Sequence, residues 1–157
     1  MTATAHALVA GAIARAVPNP YLAIPLAITS HFIMDAIPHW DIGADWRKRS
    51  KTVTGALAIS ETVLGITLAY FLFRGKVETP LLLSTIVASE LPDWLEAPWY
   101  IFFARRTVDA PKKHASHAER FFFWLYKTVN LRHAKAPLPW GIISQVIVVA
   151  AVLLVLR

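Results

Sequence analysis

Two long runs with almost no charge constrain this chain more than anything else in it. Thr52–Phe73 covers 22 residues with Glu61 as its single charge, and Leu138–Leu156 covers 19 with none, only Ser144 and Gln145 being polar. As helices, both are long enough to cross a hydrocarbon core about 30 Å thick. Three shorter apolar blocks, Ala3–Val17, Tyr21–Ile37 and Thr79–Leu95, stand at the lower edge of that length. The last two carry their charges at the C-terminal end, as a helix reaching lipid headgroups would. Hydrophobic residues make up 56% of the 157, and the mean hydropathy is +0.48. That leaves little polar surface to clothe a helical bundle in water. The expectation is an all-α, polytopic helical membrane protein, one domain over residues 1–157, with about five transmembrane or re-entrant helices. A short interfacial helix is expected at Ala118–Val129, where FFFWLY lies between Arg120 and Lys127, inside a basic segment at about 104–136.

The formal charge of +6 invites a nucleic-acid reading, but its placement does not. Of sixteen Lys and Arg, four lie between Arg47 and Lys51 and eight between Arg105 and Lys135. If the third and fourth helices form a hairpin, both rich loops fall on one side, which the positive-inside rule makes cytoplasmic. The implied localisation is the inner (cytoplasmic) membrane, multi-pass. The implied partners are membrane lipids, with no nucleic acid expected. Arg105, Arg106, Lys112 and Lys113 then either hold anionic headgroups or only set topology. No cysteine is present, which excludes disulfides and thiolate chemistry. The N-terminus has no basic leader, so a removable signal peptide is not expected.

The chemistry is concentrated in Ser30–Asp41, SHFIMDAIPHWD. His31 and Asp35 are four apart and share a helix face, so both can reach one cation. Pro38 stops or kinks the helix, and His39 and Asp41 follow at its edge. Burying four such groups is costly unless they pair, ligate a metal or meet water. A second stretch, Ser89–Trp99, SELPDWLEAPW, echoes the first: serine, an ionisable residue, an aspartate one turn on, then proline near tryptophan. It contributes Asp93 as a ligand and Glu90 as a ligand or proton acceptor. His6, in an alanine-rich N-terminal helix capped by Thr2 or Thr4, and His117, three residues after His114, complete the candidate donors. His133 and Glu96 read as surface residues, and Glu61 as a structural hydrogen-bonding group. No phosphate-binding glycine loop, nucleotide fingerprint or serine elbow occurs.

An early histidine in a small-residue helix, an acidic element closing the second helix (IPHWD) and Ser116–His117 in a basic loop resemble the YdjM-like inner-membrane metal-dependent hydrolases. The His31–Asp35 spacing is also similar to a ligand pair of the zinc-dependent phospholipase C group. The Pro-Asp-x-Asp-His order of the first family is not kept here, and the arginine–glycine part of its basic motif is missing around His114. The resemblance implies a membrane-bound metal-dependent hydrolase. The expected ligands are His6, His31, Asp35, His39, Asp93 and His117 around a divalent ion, zinc or manganese, with Asp41 or Glu90 taking the proton. A site at headgroup depth at the cytoplasmic face points to a phosphoester of a lipid or lipid-linked substrate. The competing expectation is a non-enzymatic membrane protein, an ion or small-solute transporter or a structural protein, whose His/Asp cluster is structural.

Overall fold

The computed structural model describes residues 1–105 and 109–156. Six α-helices form the fold: α1 (Ala3–Ala16), α2 (Pro20–Asp35), α3 (Lys51–Phe73), α4 (Thr79–Pro98), α5 (His117–Val129) and α6 (Trp140–Val155). A 3-10 segment, Ile42–Lys48, lies between α2 and α3, and a π turn, Trp99–Phe103, extends α4. Helix starts follow local chemistry. The side chains of Thr2, Asn19, Ser50 and Ser116 accept from the backbone N–H groups of Ala5, Tyr21, Val53 and Glu119. These satisfy donors a first turn otherwise leaves unpaired. Pro20 and Pro80 open α2 and α4, where a missing N–H costs nothing. α2 ends at Asp35, two residues short of its apolar block, because Pro38 disfavours helical backbone at Ile37.

α1 is the centre of the arrangement and packs against α2, α3, α4 and α6. Its alanines are the reason: Ala7, Ala10, Ala12 and Ala14 are buried on several faces at once, and small side chains let four helices approach. Gly65 of α3 allows a close backbone crossing, since a Cβ there would stand 2.8 Å from the Thr4 Cα. Glu61, one turn earlier on α3, reaches back to the start of α1. Its two carboxylate oxygens accept from the N–H groups of Ala3 and Thr4, both at 2.8 Å, which sets an anion on the positive end of a helix. Gln145, one of the two polar residues of the C-terminal run, accepts from Thr2 N–H at 2.8 Å and donates to the Trp40 carbonyl at 2.7 Å. The intramembrane-looking carboxylate and amide are thus the anchors of the N-terminal helix.

These facts correct the expected fold class. Among the described residues only α3 is long and apolar enough to cross a membrane. α1, α2 and α6 have 14, 16 and 16 residues, short of the roughly 20 a span requires. The 19-residue uncharged run shortens because Leu138 and Pro139 precede the helix. The second half of α4 carries Glu90, Asp93 and Glu96 inward. A six-helix all-α fold therefore replaces about five transmembrane or re-entrant helices, and the multi-pass inner-membrane localisation falls with them. The expected interfacial helix also has a different role. α5 turns Tyr126 and Val129 inward, and Tyr126 stacks on the buried Trp99 with ring centroids 5.9 Å apart. Lys127 and Arg47 pair with Asp109 at 3.2 and 3.4 Å. Arg106 of the basic run lies outside the described residues. High hydropathy is divided between interior and outer faces: Ile33, Val63, Phe71, Val87 and Val146 are each more than half exposed.

Candidate metal centre

Four separate segments bring imidazoles and carboxylates to the end of the bundle where α1 begins. Helical spacing gives the first two. His31 and Asp35, one turn apart on α2, are both buried, with His31 Nε2 3.5 Å from Asp35 Oδ2. α1 adds His6, fully buried, whose Nε2 lies 3.1 Å from Asp35 Oδ1. Its ring stacks on His31 at 4.1 Å between centroids. α4 adds Asp93, Oδ1 3.5 Å from His31 Nε2. The two serine-to-tryptophan stretches that echo one another in sequence therefore meet in space.

The fourth segment, residues 133–136, was not legible in the sequence. It runs alongside the end of α2 and its exit through Ala134 N–H to the Asp35 carbonyl (2.9 Å), His39 N–H to the Ala134 carbonyl (3.2 Å) and Ala136 N–H to the His39 carbonyl (2.8 Å). That pairing sets His133 between two carboxylates: Nδ1 is 3.2 Å from Asp35 Oδ2, and Nε2 is 2.7 Å from Asp41 Oδ2. His39 donates through Nδ1 to the Ile37 carbonyl at 2.7 Å, so its Nε2 presents a lone pair toward His133 Nε2 at 3.1 Å.

Two groups of donors result, His6–His31–Asp93 and Asp35–His39–His133, each with ligand atoms within 4.8 Å of one another. Both can hold a divalent metal ion. Donors about 2.0–2.1 Å from a tetrahedral ion stand about 3.3–3.4 Å apart; the Asp35 oxygens lie 3.1 Å from His6, 3.2 Å from His133, 3.5 Å from His31 and 3.8 Å from His39, and Asp93 lies 3.5 Å from His31. Among the described residues His31 Nδ1 and Nε2, His6 Nδ1, Asp41 Oδ1 and both Glu90 oxygens are buried without a hydrogen-bond partner, a costly state that a cation among these groups relieves in part. The Met1 amino group also contacts Asp35, and burial lowers its pKa to about 6, so it yields this place to a metal ion readily at neutral pH.

Burial sets the protonation. It lowers His31 to about 3, helped by the Met1 amine, and holds His6 well below the usual imidazole range. It also lowers His39, against the Asp41 hydrogen bond. These imidazoles are neutral at pH 7 and ready to ligate. Asp41 goes the other way: burial would raise it, but the hydrogen bond from His133, with His39 and Lys135 nearby, holds it well below the carboxylate range. Asp93 is pushed up to about 6 by desolvation, against the Met1 amine. Burial, then the charges of Asp93 and Glu61, push Glu90 up to about 9.

Of the expected ligands, His6, His31, Asp35, His39 and Asp93 come together. His117 is exposed at the first turn of α5 and belongs to neither group. The lipid-facing site at headgroup depth is corrected: His6, His31 and His39 are wholly buried among protein segments. The phosphoester assignment rested on that depth and goes with it. Imidazole and carboxylate donors suit zinc and manganese alike, so the donor set does not select zinc. Compared with protein-family models, curated proteins and solved structures, the chain matches none of them.

Proposed function

We propose that this protein is a divalent-metal-dependent hydrolase whose two metal positions share Asp35. One observation carries the reading: the Asp35 carboxylate faces four imidazoles, from α1, α2, the exit of α2 and residues 133–136. Oδ1 is 3.1 Å from His6 and 3.8 Å from His39, and Oδ2 is 3.5 Å from His31 and 3.2 Å from His133. A carboxylate so placed serves both groups at once, the usual use of a bridging ligand in two-metal sites. The resemblance of His6 and the α2 exit to the YdjM-like hydrolases agrees with it.

When bound, divalent ions polarise the scissile group and lower the pKa of water. The chain's own residues do the rest. His39 is locked in one tautomer by the Ile37 carbonyl. Asp41 orients His133 and, staying ionised, raises its donor strength, while Lys135 at 3.6 Å balances Asp41. Burial keeps Glu90 protonated at neutral pH, so it does not serve as the proton acceptor.

The test is release of p-nitrophenol from p-nitrophenyl acetate by protein loaded with Mn²⁺ or Zn²⁺. The rate should vanish with EDTA, return with metal, and be lost in Asp35→Asn and His133→Ala. A rate indifferent to EDTA, or retained in Asp35→Asn, would refute the proposal.

A further inference from the structure

A cavity of about 280 Å³ opens directly onto the metal centre. Asp41, Asp93 and His133 form part of its wall, and so do Trp46, Trp94 and Tyr100. Ile42, Ile59 and Ile101 complete a mostly apolar lining. We infer that this cavity binds a compact apolar acyl or aryl group, and that the substrate is an uncharged ester or amide carrying that group next to its scissile bond. The inference rests on the hydrolase reading and narrows its substrate class.

Three observations carry it. The first is continuity: the same Asp93 and His133 that belong to the two donor groups face the cavity, so a molecule seated there has its polar end at the metals. The second is charge. The cations of the wall are already engaged: Lys51 donates to the Ile101 carbonyl at 2.8 Å, Arg49 to the Ile42 carbonyl, and Lys135 pairs with Asp41 at 3.6 Å. Burial pushes Glu96 up to about 8, so it stands in the lining as a neutral acid accepting from the Asn130 amide, and the rest of the wall is mainly indole and isoleucine, which suit an uncharged apolar tail. The third is size. An apolar cavity of about 150 Å³ holds a benzene ring, so this one takes a substituted aryl or a roughly six- to eight-carbon acyl group.

Hydroxamic acids test the inference, because the head ligates divalent metal while the tail is varied. Acetohydroxamic, benzohydroxamic and octanohydroxamic acids are titrated into Mn²⁺-loaded protein and followed by tryptophan fluorescence, with bound metal measured in the same samples. The aryl and octanoyl compounds should bind at least about tenfold tighter than the acetyl one. That ratio should drop severalfold in Trp94→Ala, which replaces a residue 40% exposed, with no change in bound metal. Ala97→Trp, which fills the cavity, should abolish the preference in the same way. Equal affinity for all three acids on protein that retains its metal would overturn the substrate class and leave the hydrolase reading intact. Protein that retains no metal would overturn both.

Discussion

Glu90 makes a quantitative demand on the fold. Its carboxyl group is 3% exposed with neither oxygen hydrogen-bonded among the described residues, and its pKa in the folded protein is about 9 against an ordinary 4.5. The unfolded chain releases this proton above pH 4.5, while the folded chain keeps it up to about pH 9. The stabilising contribution is therefore complete below the unfolded value and is lost as pH rises toward the folded one. Between pH 5 and 8 this amounts to about 4 kcal/mol, taking 1.36 kcal/mol per pH unit over the interval where only the unfolded carboxyl is ionised. Glu90→Gln keeps the shape and removes the titration. Its buried amide costs the same at every pH, so the informative quantity is the slope of the difference between the two proteins. Thermal melts in EDTA at pH 5, 6, 7 and 8 should show the variant gaining on the wild type as pH rises, by on the order of 10 °C over the series. Other titrating groups cancel in that difference. Parallel pH–Tm curves would show that Glu90 ionises freely in the folded protein and that its burial among Asp93 and Glu61 is wrong.

Three further outcomes follow from the same geometry. Glu61→Gln weakens the clamp on the Ala3 and Thr4 N–H groups. It should cost about 1–2 kcal/mol in urea unfolding and reduce metal affinity, since His6 is held by the same helix. An unchanged midpoint would mean the clamp does not form. Gly65→Val drives a side chain into the Thr4 backbone and should destabilise by about 1–3 kcal/mol, whereas Gly55→Ala, with nothing within 4 Å, should be silent or slightly stabilising. Metal affinity measured by competition with a chromogenic chelator should be steady above pH 7 and fall as pH drops through about 6, where Asp93 takes up a proton. In Asp93→Ala that inflection should weaken, the Met1 amino group beside Asp35 still titrating near 6.

Much of the donor set could be read from the chain alone. A four-residue spacing places His31 and Asp35 on one face whatever surrounds them, and the serine–proline–tryptophan echo pointed to Asp93, which stands 3.5 Å from His31. His133 was hidden for a physical reason. It sits in a short extended segment whose backbone partners Asp35 and His39 are nearly a hundred residues away, and such pairing leaves no periodic trace. His117 misled because two histidines three apart read as a ligand pair on any helix, yet α5 starts at His117 and leaves His114 outside it. The apolar runs gave the helices but not their surroundings. Hydropathy does not distinguish the alanines of α1, enclosed by other helices, from the leucines of α3 that face outward. The proline and capping residues were the more reliable guide to where each helix begins and stops.

Whether Asp35 serves two metal positions decides the proposed function. Equilibrium dialysis against Mn²⁺ or Zn²⁺, followed by elemental analysis of wild type, His31→Ala, His39→Ala and Asp35→Ala, measures this directly. Two ions per chain in the wild type, one in each histidine variant and none held tightly in Asp35→Ala is the predicted result. A wild type that binds no ion, or an Asp35→Ala variant that still binds two, would contradict it.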